Sequence, residues 1–347
     1  MTMPPPQSPQ PPYGQQPPYG QQLPYGYHPP YHQQPQDGSV PLYGPDGAPA
    51  QYGQYGQYNP YGGFGHYAPP RRPTFRERFL PDAEPGRLSW WDLAATLVYL
   101  IGFTLGIIPM LVMLTPLGTM AQSADPADQA VGGFLTNMVS YLIVGVVVVL
   151  ACWRPLARSV RAFLPLWWAK LLVIPVIWVT GIVCSGIAVG VLGLFGIEPE
   201  VSQNQQDIEL MLAQVPFLAS AFLMVVLAPL MEEYFFRHLL IGRLSRFINR
   251  WILGAVSVVL FALMHVTVEL IDPTQTFNVA AVVPYVMMGV VFVLVYILSG
   301  RSLLYAWLVH AFFNLMALVM QYFVVPRLQE TFPELDQTAA LLLLLLG

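Results

Sequence analysis

Charge is what this chain has least of. Only 10% of its 347 residues are Asp, Glu, Lys or Arg, against roughly 25% in an average soluble domain, while 55% are hydrophobic. So little charge excludes an ordinary water-exposed surface and points to a membrane protein. Cysteine is also scarce. Cys152 and Cys184 are the only two, both in apolar surroundings, which excludes a disulfide framework and a cysteine-rich metal site. Basic residues sit in a few clusters rather than on one broad face, so the net charge of −4 implies no nucleic-acid partner. The N-terminus, MTMPPPQSPQ, lacks a basic stretch followed by an apolar run, so insertion is expected to use an internal span rather than a cleaved signal.

The first 70 residues hold two charges, Asp37 and Asp46, and eleven of the 18 tyrosines, arranged in near-repeats such as PPYGQQ and QYGQYGQY. Ordering backbone costs ~1–2 kcal/mol per residue, and this tract has little aliphatic surface with which to offset it. Residues 1–80 are therefore expected to form a disordered tail rich in Pro, Tyr, Gln and Gly. Its tyrosines offer docking points for a protein partner that recognises proline-rich segments.

From about Leu93 the chain alternates apolar runs near 20 residues, the length that crosses ~30 Å of hydrocarbon at 1.5 Å per residue, with short polar links. Seven runs are found, at about 93–114, 134–153, 171–195, 215–236, 252–270, 279–299 and 302–323. The expected fold is an all-α polytopic transmembrane helical bundle over 88–325, followed by a C-terminal tail at 326–347. The last apolar stretch, Leu341–Leu346, is too short to span.

Lys and Arg in short links tend to stay on the cytoplasmic side. Arg71, Arg72, Arg76, Arg78 and Arg87 precede the first run; Arg154, Arg158, Arg161 and Lys170 link the second to the third; Arg237, Arg243, Arg246 and Arg250 follow the fourth; Arg301 precedes the seventh. The alternate links carry acids: Asp125 and Asp128, then Glu198, Glu200, Asp207 and Glu209, then Glu269 and Asp272. This alternation predicts a cytoplasmic N-terminus and an outward C-terminus.

A charged side chain within a span costs ~2.5–3.5 kcal/mol on insertion scales, so each one needs a reason. Those found are Glu232, Glu233 and Arg237 near the end of the fourth run, His265 in the fifth, and His310 with Asn314 in the seventh. Residues four apart share a helix face, so Glu233 can pair with Arg237 as an ion pair at the cytoplasmic interface, while Glu232 is turned toward another neighbour. His310 and Asn314 are also four apart, and their ring and amide can offer adjacent hydrogen-bond donors to one site. His238 reads as an interfacial residue and Phe261 as packing. HExxH is absent and no paired aspartates lie within a span, which argues against zincin and aspartyl chemistries. The run Cys184, Ser185, Gly186 reads as small-residue helix packing.

The three polar groups lie in motifs reading EEYFFR from Glu232, FALMH from Phe261 and HAFFN from His310. In this order they resemble the CAAX prenyl protease and bacteriocin-processing family, also called the Abi family, over about residues 215–323. The resemblance implies an intramembrane endopeptidase in which Glu232 activates water with help from His265. His310 and Asn314 would then hold the oxyanion, and Glu233 with Arg237 would support the site. Members of the family have been described as metalloproteases, but the matched set offers one or two histidines and a carboxylate without HExxH. A glutamate-based mechanism with no cofactor is therefore expected, and zinc is the divalent metal to test against it. The substrate is expected to be a membrane-associated peptide or protein entering from the cytoplasmic side of a bacterial plasma membrane. Two other classes remain open: a non-catalytic membrane scaffold or bacteriocin-immunity protein, and a proton-coupled transporter. The latter predicts inverted repeats, and the two halves show no self-similarity.

Overall fold

The computed structural model describes residues 73–331 apart from Pro199, Pro273 and Thr276. Of the tail expected to be disordered over 1–80, residues 1–72 lie outside the described residues, as does the Leu341–Leu346 run; residues 73–80 instead carry a short helix, Phe75–Phe79, started by a capping box of Thr74 and Glu77. The described chain is built from helices, with no strand among its residues. In order these are α1 Phe75–Phe79, α2 Trp90–Thr104, α3 Ile107–Met113, α4 Pro116–Ala121, α5 Pro126–Phe163, α6 Trp167–Leu194, α7 Gln203–Leu212, α8 Phe217–Arg246, α9 Arg250–His265, α10 Thr267–Ile271, α11 Val279–Leu298 and α12 Leu303–Thr331.

Five of them, α5, α6, α8, α11 and α12, are long and apolar enough to cross a membrane. The run expected as one span at 93–114 is broken into α2 and α3, which meet at 55°. Gly106 sits at the break with φ 79°, a left-handed conformation that glycine adopts without steric cost. The run expected at 252–270 is split as well. Its main part, α9, has 16 residues and so is about 24 Å long, and it ends at Val266 before the short α10. The seven expected spans are thus five full-length helices, one bent pair and one short helix.

Local sequence explains the helix starts. Asp125 accepts from the Ala127 amide at 2.9 Å just ahead of Pro126, whose missing N–H costs nothing in a first turn. Ser89 and Asp92 form a capping box on α2. Asn278 caps α11 and Ser302 caps α12.

Contacts between links tie each end of the bundle. At the arginine-rich end, Asp82 pairs with Arg301 at 2.7 Å and the Ala83 amide donates to the Gly300 carbonyl at 2.7 Å. Arg158 donates to the carbonyls of Glu84 and Pro85, at 3.0 and 3.3 Å. Residues 82–87 therefore form a strap across this end. At the acidic end, Asn278 donates to the Glu198 carbonyl at 3.1 Å and the Gln203 amide to Glu269 at 2.7 Å. The outward faces of α5, α6 and α9 expose Leu, Val, Ile and Trp, as a lipid-facing surface requires.

Candidate active site

α8 positions the two acids. Pro229 cannot donate to the helix ladder, and the backbone widens to i→i+5 bonding over Phe222–Leu227, a geometry frequent at functional sites. Carbonyls of this stretch turn to α12 for partners: Asn314 donates through Nδ2 to the Met224 carbonyl at 2.7 Å, and Trp307 through Nε1 to the Val226 carbonyl at 3.1 Å. The same bonds fix the orientation of the Asn314 amide.

His310 lies between the two acids. Its Nδ1 is 2.9 Å from Glu233 Oε1 and its Nε2 is 3.7 Å from Glu232 Oε2. A carboxylate only accepts, so the first contact puts a hydrogen on Nδ1 and leaves Nε2 to face Glu232. The ring stacks on Phe292 with centroids 4.2 Å apart. His265 is fixed similarly: Nδ1 is 2.8 Å from the Phe261 carbonyl, again an obligate acceptor, so Nε2 is the free nitrogen. Tyr285 stacks on this second ring at 4.5 Å, and its hydroxyl lies 2.6 Å from Ser202 at the start of α7.

Glu233 and Arg237 pair at 3.2 Å, as their spacing predicts, but not at an interface. Both side chains are 0% exposed. The guanidinium makes no hydrogen bond; it rests against the ring faces of Phe261 and Phe292 at 4.6 and 5.3 Å. α8 continues as helix through Arg246, which carries the pair well inside the bundle instead of leaving it at a helix end. His238 is likewise buried, not interfacial.

Glu232, His265, His310 and Asn314 all line one cavity of about 560 Å³. Sequence reasoning missed other polar groups on its wall, among them Asn137 and Tyr141, one helical turn apart on α5, and Tyr285 on α11. Asn137 sits inside an apolar run, and that was the available signal. Ser185 also lines the cavity, and of the neighbouring small residues it is Gly181 that packs closely, against the Phe313 ring. The cavity extends to Glu200, Ser202 and Asp207 in the acidic link and not to the arginine-rich end, where a cytoplasmic mouth was expected. Among the described residues no three of His, Cys, Asp or Glu converge closely enough to hold a metal ion. A metal of the kind the family label suggests therefore does not fit this arrangement.

The fold and the site together define a helical integral membrane protein with a carboxylate and histidine centre in its interior. Residues 214–316, under a third of the chain but containing all three motifs, match the family model described as type II CAAX prenyl endopeptidase Rce1-like. The resemblance to the CAAX prenyl protease family thus holds over that segment. No curated protein matches the chain, and no solved structure does.

Proposed function

We propose that this chain is an intramembrane endopeptidase that hydrolyses a peptide bond of a membrane-associated polypeptide. One observation carries the reading: Glu232, buried and making no hydrogen bond, faces a cavity whose wall also holds His265, His310 and Asn314. In this scheme Glu232 takes a proton from a water molecule as the water oxygen bonds to the scissile carbonyl carbon, and His265 accepts a second hydrogen bond from that water through Nε2. The carbonyl π electrons move onto oxygen. The resulting oxyanion is met by the Asn314 amide, which keeps one N–H beyond the one given to Met224, and by His310 Nε2 in the imidazolium form. That form is required because Nδ1 already donates to Glu233, and the two neighbouring carboxylates supply the balancing charge. Collapse re-forms the carbonyl and breaks the C–N bond, and the proton held by Glu232 passes to the departing amine. Glu233 orients His310, and Arg237 balances Glu233.

The test is Glu232→Gln in the full chain reconstituted in vesicles. Removing a general base lowers turnover by about 10²–10⁴-fold. The expected outcome is loss of peptide cleavage with unchanged insertion and melting temperature. Undiminished cleavage would sink the mechanism, and a non-catalytic scaffold predicts no cleavage by either form.

A further inference from the structure

The cavity is sealed at one end and ringed with acid at the other. Below Glu232, toward the arginine-rich end, Arg237 fills the space between three phenylalanines. Next come the buried Tyr234 hydroxyl bonded to Asp92 at 2.7 Å and Arg243 paired with the same carboxylate at 3.4 Å, then the strap. At the other end α7 lies across the mouth. Glu200 and Asp207 line the opening with Asn204 and Gln205, and among the described residues no Lys or Arg lines the cavity. Among the described residues neither carboxylate is paired with a cation: Asp207 accepts only from Gln203, at 2.8 Å. Arg327, on the terminal part of α12, is the basic residue at this end, and it does not line the cavity. The interior adds a third carboxylate, Glu232, which faces the same space with the His310 ring 3.7 Å away.

We propose that substrate enters from the end carrying the acidic links, passing under α7, and that the site selects polypeptide segments bearing lysine or arginine beside the scissile bond. The substrate class rests on the endopeptidase reading above; the entry route and its charge preference do not. With like charges at the mouth and none opposite, an acidic segment or a free C-terminal carboxylate is repelled, whereas a cationic segment neutralises the rim. The link that forms this rim is the one between α6 and α8. By the distribution of basic residues it lies on the non-cytoplasmic side, so the substrate is a polypeptide presented at the outer face.

Two arms test this, one of them independent of catalysis. In a Cys152→Ala, Cys184→Ala background, Ser185→Cys places a thiol on the cavity wall. Membrane-impermeant cationic and anionic thiosulfonates are then added to vesicles from either side, with Gln275→Cys marking the acidic end and Phe247→Cys the arginine-rich end. Labelling of Ser185→Cys from the Gln275 side, about 5-fold or more faster with the cationic reagent and reversed by Glu200→Lys with Asp207→Lys, is expected. Labelling from the Phe247 side, or equal rates for the two reagents, overturns the proposal. The second arm offers the intact chain degenerate peptide libraries flanked by lysine or by glutamate and reads cleavage by mass spectrometry. Preference for the lysine library, inverted by the double lysine variant, is expected. Equal cleavage of both libraries that is still lost in Glu232→Gln overturns the charge preference and leaves the endopeptidase reading standing. Cleavage retained in Glu232→Gln overturns the mechanism instead, while the labelling result stands by itself.

Discussion

The two halves of this bundle use polar residues in opposite ways. Toward the arginine-rich end, Asp92, Tyr234, Arg243 and Arg237 are buried against one another or against aromatic rings, and the strap closes over them. Toward the acidic end, Glu232, His265, Asn314 and Tyr141 face a cavity. A buried charge packed against its partner and against rings holds helices in register, while a buried charge that faces an open cavity is available for chemistry. One histidine, His310, joins the two, because it is bonded to Glu233 on the packed side and faces Glu232 on the open side.

On that division, substitutions in the packed half cost stability and those around the cavity cost activity. Arg237→Ala leaves Glu233 buried without its cation and is expected to destabilise the protein by about 3–5 kcal/mol, read by thermal or denaturant unfolding in detergent. On the proposed oxyanion role, Asn314→Ala should lower kcat by about 10²-fold and leave the melting temperature within a few degrees. A large fall in stability without loss of turnover would reverse the assignment of that residue. In the packed half, Gly242→Ala would drive a Cβ into the Tyr296 hydroxyl and to 3.0 Å from Pro85. Overpacking of this kind costs about 1–3 kcal/mol and should appear as a lower unfolding midpoint. Arg301→Ala, which removes a partly exposed pair with Asp82, is expected to cost under about 1 kcal/mol and to lose even that at high salt. A large effect there would mean that the strap does more than cover one end.

Of the packed half only the Glu233–Arg237 contact could be read from the sequence, and around the cavity the four candidate residues that line it, because polar side chains inside apolar runs are rare and helical spacing sorts them by face; the network of Asp92, Tyr234 and Arg243 depends on how α2 packs on α8. The spacing of Glu233 and Arg237 correctly predicts their contact. It cannot reveal that His310, 77 residues away, is the other partner of Glu233, since that contact depends on how α12 packs on α8. The polar rim was hidden for a different reason. Ser202, Asn204 and Asp207 have the composition of a solvent-exposed link, and only the fold of α7 over the cavity gives them a wall to line. The break in the first span was partly legible, since Gly106 and Pro109 interrupt an otherwise continuous apolar run.

The burial of Arg237, Glu233 and Glu232 on a single helix also bears on biogenesis. α8 has the lowest mean hydropathy of the five full-length spanning helices. Its two acids and its arginine each oppose lateral release into lipid by ~2.5–3.5 kcal/mol. Alone, it is the span least able to remain in the bilayer. Glu233 and Arg237 compensate each other within α8, but the further groups that meet these charges, Phe261 on α9, Phe292 on α11 and His310 on α12, are all synthesised after it. Stable integration of α8 therefore waits for the last third of the chain, and a nascent protein truncated before α12 is left with its most polar helix unsupported.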